Sequence, residues 1–476
     1  MAQDPGHVFV VHGDLITMAC TDVVVPLDYS GRYTDPWRPL MKHLPATRVS
    51  ADWRLQDKLP PGKRYKQAPG AAGDPRRTWL LDSGGTSETK ASWIAKGLSA
   101  VLRAVAAKPV QGSRVRPLVG LPLVGSGAGG FARRRDELIT TVLDALGSAV
   151  AKHGFDVVLV LYSRRDYAAV QHVRRKGKQG SWALNPSLRR AASGLAARAR
   201  SGELVLFLGA GVSVPAGLPM WSELLKRLGD ACSPPVTVQA LDSLQPPEAA
   251  TLLEKRLGGA EPLQDMLTQL FSVDRCSVGH ALLAGLRTPA AVTTNYDRLY
   301  EIAAKVPMPD LAVLPHKSPT GSAPWLLKLH GDVTRPSEMV LTREQYVEHQ
   351  DLRGPLAAVV QTLLMTRHML FLGYSLADDT FIRLATQVHR VMPERRVRGT
   401  IVGLLPDSLR EELWLGALTS LDMGTEGEEI PVAARRLEIW LDLLAHSLTR
   451  PASSTTSYLI LPTRTCSATK NARYAT

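Results

Sequence analysis

The stretch Glu203-Leu-Val-Leu-Phe-Leu-Gly-Ala-Gly-Val-Ser-Val-Pro-Ala-Gly-Leu-Pro-Met-Trp221 decides the fold. Its residues 204–208 are five apolar side chains in a row, the pattern of a parallel strand covered on both faces. Gly209 and Gly211 follow at once, and there the backbone can take positive φ or approach an anion with no Cβ in the way. Beyond Pro219, residues Trp221, Leu224, Leu225 and Leu228 repeat at i, i+3, i+4 and i+7, so an amphipathic helix begins within a few residues. Strand, glycine turn and helix make a place to seat a phosphate. A Gly-Ala-Gly turn alone is a weak signal that many packed α/β turns share, and three later segments give it weight.

Downstream, strand-like runs recur at 290–293, 326–329, 369–372 and 400–404, with helical patterns between them. This spacing predicts a doubly wound, Rossmann-like parallel sheet whose ligand lies beyond the carboxyl ends of the strands. Polar or glycine-rich turns stand at those ends: Thr294-Asn295-Tyr296-Asp297, His330-Gly331-Asp332 and Gly373-Tyr374-Ser375-Leu376-Ala377-Asp378. Each has a plainer reading. Asn295 and Asp297 are good helix caps, His330 alone would most often be a core histidine, and Gly373 and Ser375 could simply turn the chain. Four such turns on one edge of one sheet are harder to dismiss, because they converge on a single crevice. Between 234 and 271, Leu241, Leu244, Leu252, Leu253, Leu257, Met266 and Leu270 predict an all-helical insert packed by its own apolar residues.

Upstream, strand-like runs at 8–11, 23–26, 79–81, 118–124 and 157–162, with helical patterns at 91–106 and 136–151, predict a separate α/β domain. Its most informative piece is 120–131, a strand entering a loop with Gly125, Gly127, Gly129 and Gly130 that could wrap a diphosphate. The divisions expected are an α/β domain over 1–170, a basic linker and entry helix over 171–200, a catalytic domain over 201–450 and a flexible tail over 451–476. From Tyr167 to Gly202 no residue is acidic, whereas Arg174, Arg175, Lys176, Lys178, Arg189, Arg190, Arg198 and Arg200 are basic. Trp182 is the only aromatic interleaved among them, so a solvated linker is expected there rather than a nucleic-acid surface. Near the end, Leu437, Trp440, Leu441, Leu444 and Leu448 share one helical face, as a closing helix or an oligomer contact would.

Composition narrows the class. A chain of 476 residues with 45% apolar and 21% charged residues has room for two or three domains with sizeable cores. It lacks an uninterrupted apolar run of about 18 residues and a charged-then-apolar start, so no membrane partner and a cytoplasmic location are expected. Its four cysteines are scattered singly, which fits neither a disulfide framework nor a paired zinc site. The formal net charge of +13 suits nucleic acid or polyanionic nucleotides equally.

In this order, Gly209-Ala210-Gly211-Val212-Ser213, Thr294-Asn295-Tyr296-Asp297, Lys328-Leu329-His330-Gly331 and Gly373-Tyr374-Ser375-Leu376 resemble the motifs of the SIR2 (sirtuin-like) superfamily. The form is nearest to the SIR2-like effectors of bacterial anti-phage systems, where Gly-Leu-Pro-x-Trp and Thr-Thr-Asn-Tyr-Asp recur. The resemblance implies an NAD+ hydrolase that releases nicotinamide and ADP-ribose. It further implies a regulated homo-oligomer in phage defence, with a possible companion defence protein. The four-cysteine zinc module of deacylating sirtuins has no counterpart, so NAD+ is expected as substrate and no zinc or other metal. Pro219-Met220-Trp221-Ser222 stands where deacylases carry Pro-Asp-Phe-Arg, and no acyl-lysine channel is evident.

On this resemblance Gly209, Ala210, Gly211 and Ser213 would cradle the diphosphate at a helix N-terminus. Asn295 would be catalytic, orienting the attacking water or the ribose hydroxyls. His330, of a residue type that ordinarily titrates near about pH 6.5, would be catalytic as general base or ribose orienter. Asp297 would bond the nicotinamide amide or support Asn295, and Gly373 and Ser375 would line the adenosine side. The N-terminal third, through Gly13-Asp14-Leu15-Ile16, Thr21-Asp22-Val23-Val24-Val25 and 125–131, resembles a macro domain, which implies a site for an ADP-ribose-like or cyclic nucleotide signal. It departs at Pro26-Leu27-Asp28-Tyr29, where that family usually has Asn-Ala-Ala-Asn, so a degenerate domain kept for assembly stays open. Two other functions also stay open: a sirtuin-type protein ADP-ribosyltransferase or deacylase, and a non-catalytic nucleotide sensor or scaffold.

Overall fold

A computed structural model describes residues 5–449, apart from 58, 61, 85–89, 109–113, 127–130, 132–133, 178–181, 242, 353, 377–378, 393–398 and 415–416. The loop glycines at 127, 129 and 130 and the tail beyond 449 therefore lie outside the described residues.

Among the described residues, nine strands fall in the N-terminal part: β1 (Val8–His12), β2 (Asp22–Leu27), β3 (Arg32–Thr34), β4 (Ala46–Val49), β5 (Asp52–Leu55), β6 (Tyr65–Gln67), β7 (Arg77–Asp82), β8 (Leu118–Leu121) and β9 (Asp156–Leu161). Six of them form a mixed sheet in the order β1-β9-β8-β2-β7-β6, parallel except for β6 against β7. Strands β3, β5 and β4 make a small antiparallel sheet of their own. Seven more follow: β10 (Leu204–Leu208), β11 (Ala290–Thr293), β12 (Ala312–Leu314), β13 (Trp325–Lys328), β14 (His368–Leu372), β15 (Gly399–Gly403) and β16 (Thr419–Asp422). They pair in the order β12-β13-β11-β10-β14-β15-β16, every pair parallel. The chain thus turns to one side of β10 first and to the other side with β14. A doubly wound sheet of this kind opens a crevice at that switch, beyond the strands' carboxyl ends.

Alternation along β10 shows how the second sheet is buried. Leu204, Leu206 and Leu208 belong to one core, while Val205 and Phe207 belong to the core on the opposite face. The second face is covered by the helices Gly354–Thr366 and Asp379–Val391, where Phe207, Phe371, Tyr374 and Phe381 cluster. The first face shares a continuous core with one face of the N-terminal sheet, through Phe9, Val11, Val23, Val25, Val158 and Val160. Helices Pro186–Arg200, Val278–Gly285 and Ile430–Leu448 contribute to this shared core. The N-terminal sheet buries its other face under Ala91–Ala106 and Arg135–His153.

The closing helix Ile430–Leu448 buries charges as well as apolar residues. Asp442 is fully buried and accepts from Arg174 (2.7 Å), the Trp182 indole (2.8 Å) and His7 Nε2 (2.9 Å). Arg435 pairs with Asp156 at 2.8 Å, and Glu438 takes both terminal nitrogens of Arg114 at 2.6 Å. The basic 171–200 segment is only in part the solvated linker expected from its composition: Lys176, Arg189, Arg190 and Arg200 are exposed, but several of its basic side chains are bonded into the protein. Arg174 is 3% exposed, Arg175 donates to Thr449, and Arg189 donates to the carbonyls of Trp182 and Leu184. The buried Asp442 carboxylate, 268 residues away in sequence, accounts for the burial of Arg174, and local composition cannot show it.

Candidate active site

Backbone packing fixes the turn after β10. Gly209 N–H donates to Leu372 O and Gly211 N–H to Gly373 O, both at 2.9 Å. A Cβ on Gly209 would lie 2.4 Å from Gly373 O, and one on Gly373 would lie 2.4 Å from Val212 N, with φ of +60° at Gly373. The turns after the first and fifth strands of this sheet therefore touch backbone to backbone at the switch point, and only glycine permits that approach. The missing side chain of Gly373 makes room for the protein's own Val212 amide. The amide cradle is revised. The N–H groups of Gly209, Gly211, Val212 and Ser213 all donate within the turns, and only that of Ala210 has no partner among the described residues.

A cleft of about 400 Å³ opens in front of these turns. Ala210, Ser213, Asn295, Asp297, His330, Gly373 and Ser375 line it, so seven of the nine residues singled out from sequence meet at one place. Gly209 and Gly211 are not among the lining residues and lie in the contact just described. Asn295 and His330 share the same cleft. The helical insert, seen as Val238–Leu241, Pro246–Leu257 and Ala260–Phe271, supplies the far wall through Pro246, Pro247 and Phe271. Gln245 and Glu248 close the start of its middle helix with a capping box. Trp221 and Tyr346 add aromatic surface, and Arg343 brings a cation to this wall.

The polar floor of the cleft is held by directed bonds. Ser213, 2% exposed, donates to Asp297 Oδ2 at 2.8 Å. Asp297 Oδ1 accepts from Leu299 N at 2.9 Å, so both carboxylate oxygens are engaged by the protein. Asn295 Nδ2 donates to Gly209 O at 3.1 Å and to Ser213 Oγ at 3.2 Å. A carbonyl can only accept, so the amide nitrogen must face it and the amide orientation is determined. Asn295 Oδ1 is left buried at the cleft wall with no partner among the described residues, as is Trp221 Nε1. Buried groups of this kind are uncommon in native proteins, and both of these residues line the cleft.

Lys328, which had been given no role, carries the turns on which Asn295 and His330 stand. Wholly buried, its ammonium donates to the carbonyls of Tyr296 (3.0 Å) and Asp297 (2.6 Å) and pairs with Asp332 at 2.8 Å and Glu301 at 3.3 Å. Burial pushes the Asp332 carboxyl up, but the Lys328 charge and the bonds from Lys328 and Thr334 outweigh it and hold the group below its ordinary value. For Glu301 burial wins over the pull of Lys328, and its carboxyl is raised. The signal was in the sequence: a lysine inside the apolar run Leu326-Leu327-Lys328-Leu329 of a buried strand must find partners. His330, 4% exposed, meets Tyr346 edge-on at 5.4 Å between ring centres. Gly331 after it has φ of +98°, and a Cβ there would lie 2.5 Å from Glu338 O.

Fold and cleft together define a doubly wound α/β domain with its candidate site at the switch point of a parallel sheet. Residues 289–417 match the family described as SIR2-like domain, so the chain carries a SIR2-like domain in its C-terminal half. It is similar to "NAD(+) hydrolase ThsA" of Enterococcus faecium, with 29% identity over 208 residues, which are 41% of this chain and 42% of that protein. A second similar protein of that name, from Acinetobacter baumannii, is 30% identical over 38% of each chain. "Defense-associated sirtuin 2" of Bacillus subtilis is 25% identical over 41% of this chain and 20% of its own length. The chain thus spans about two fifths of the ThsA relatives it matches. A macrodomain of Oceanobacillus iheyensis, solved with ADP, covers 37% of this chain and 94% of its own at 14% identity, with a TM-score of 0.27 too low to carry weight.

Proposed function

We propose that the protein hydrolyses NAD+ at the cleft beyond β10, β11, β13 and β14, releasing nicotinamide and ADP-ribose, as an effector of anti-phage defence. The observation that carries this reading is the oriented Asn295 amide in the same cleft as His330, with an acceptor oxygen that has no partner among the described residues. The relatives' names, two hydrolases of NAD+ and a defence-associated sirtuin, support it.

The chemistry asks little of the protein beyond placement and charge. Nicotinamide leaves as a neutral molecule with the electron pair of its bond to the ribose C1′, so the leaving group needs no acid. Positive charge then builds at C1′, where the nearby Asp297 carboxylate lowers its energy. Water forms the new C1′–O bond and gives up one proton. Asn295 Oδ1 accepts a hydrogen bond from that water or from a ribose hydroxyl, and His330 takes the proton. Ala210 N–H and Arg343 on the cleft wall would serve as donors to the diphosphate, in place of the full amide cradle expected from the sequence.

The N-terminal part holds a second cavity of about 410 Å³ at the ends of β2, β7 and β8, lined by Asp28, Arg32, Ser83, Gly84, Gly125 and Ser126 among others. On this reading an ADP-ribose-like or cyclic nucleotide signal binds there and relieves inhibition, and the effector works in the cytoplasm as a homo-oligomer with a companion defence protein. The test is nicotinamide release from NAD+ by the full chain, with and without such nucleotides. Asn295→Ala and His330→Ala should each lower it at least about a hundredfold while leaving the fold intact. Undiminished release in both variants removes the proposed site.

A further inference from the structure

The SIR2-like cleft rests on a buried histidine that neither composition nor motif brought forward. His280 lies in the helix Val278–Gly285, 1% exposed, and does not line the cleft. Its Nδ1 is 2.8 Å from Ser277 Oγ, and its Nε2 is 3.4 Å from Ser213 Oγ. We propose that His280 is a positioning residue for the reaction, which keeps the Ser213 hydroxyl turned toward Asp297 and through it sets the Asn295 amide. This rests on the hydrolase reading above.

The proton inventory leaves one arrangement. Asp297 Oδ2 is a carboxylate oxygen and can only accept, so the Ser213 proton goes to it. Ser213 Oγ can then only accept from its two other neighbours, Asn295 Nδ2 and His280 Nε2. His280 must carry its proton on Nε2, and Nδ1 of the neutral ring accepts from the Ser277 hydroxyl. Ser277 Oγ meanwhile receives the backbone N–H of His280 at 3.4 Å, which caps the helix. Burial, the largest influence, pushes the His280 ring down to about 4 against the opposing pull of Asp297, so the ring is neutral near pH 7. The chain Ser277, His280, Ser213, Asn295 ends at the cleft.

Its other end meets the N-terminal part. Cys276, next to Ser277, donates its N–H to Thr17 O and accepts from Ala19 N, both at 2.9 Å, forming a bridge beside Met18. The β1–β2 connection of the first sheet is thereby joined to the segment that starts the positioning chain. A shift of that connection bears on Ser277 with no intervening loop.

Two measurements on the full chain decide the assignment. In nicotinamide release, His280→Phe, which keeps a ring but no donor, should lower kcat roughly tenfold to a hundredfold with KM within about twofold. His280→Gln, whose amide N–H can reach Ser213, should recover most of that loss. In nitrogen-15 NMR of histidine-labelled protein near pH 7, the resonance missing from His280→Gln should report a neutral ring protonated on Nε2. Wild-type kcat in His280→Phe, or a ring that is charged or protonated on Nδ1, overturns the proposal. If His280→Phe fails to fold, the spectrum and the Gln variant decide. Should the wild-type protein release no nicotinamide, the hydrolase reading fails, and the spectrum still accepts or rejects the His280 assignment.

Discussion

Gly373 shows how much a single residue of this cleft carries. It sits at positive φ and its Cα faces the Val212 amide, so an added methyl group collides with backbone that has nowhere to go. Gly373→Ala should cost roughly 2 kcal/mol or more and weaken NAD+ binding, because the turns after β10 and β14 must separate. Chemical denaturation and calorimetry would show it, and a variant of wild-type stability and affinity would contradict the backbone contact. At this scale the sequence was readable where a residue type has few uses. Glycines after an apolar run, an asparagine and a histidine at strand ends, all announced themselves. Lys328 and His280 did not, because each is defined by partners on other elements: Asp332 and the Tyr296 carbonyl for the lysine, Ser213 for the histidine. The amide cradle was out of reach for the same reason, since the acceptors for Gly209 and Gly211 come from the end of the neighbouring strand β14 and the turn after it.

At the scale of elements, the buried apolar strands were legible and the edges were not. β10 and β11 coincide with the apolar runs, and β13, β14 and β15 lie within a residue of theirs. β12 and β16 are the two outer strands of the sheet; β16, Thr-Ser-Leu-Asp, has one polar-poor position and no apolar run to mark it. Strands β3, β4 and β5 mix charged and apolar residues and were missed likewise. The closing helix was recognised by its apolar stripe, but its charges do the joining. Burial alone would raise the Asp442 carboxyl; Arg174 and the bonds from His7 and Arg174 overcome that and hold it well below the ordinary carboxylate range. A carboxyl depressed on folding stabilises the folded state above its unfolded value, about 3.9, and that contribution fades as pH falls through the interval below it. Asp442→Asn should therefore lower stability at pH 7 by roughly 3 kcal/mol, with the gap to wild type closing below about pH 4. Urea unfolding of both proteins across pH checks this, and equal stability at pH 7 would refute it.

For the molecule as a whole, the two α/β parts share one apolar core and one buried ionic network, with the linker helix and the closing helix inside the junction. Sequence reading separated two domains because each has its own strand and helix pattern. It could not show the junction, whose ion pairs join residues 268 to 324 positions apart. The consequence is mechanical: the N-terminal cavity and the cleft belong to parts that cannot move independently without breaking buried charge pairs. The most direct measurement is a crystal structure of the Asn295→Ala protein with NAD+. Intact dinucleotide should lie in the cleft, with its nicotinamide ribose against residue 295 and His330 and its diphosphate at Ala210. NAD+ bound only elsewhere, or a ribose out of reach of both side chains, would contradict it.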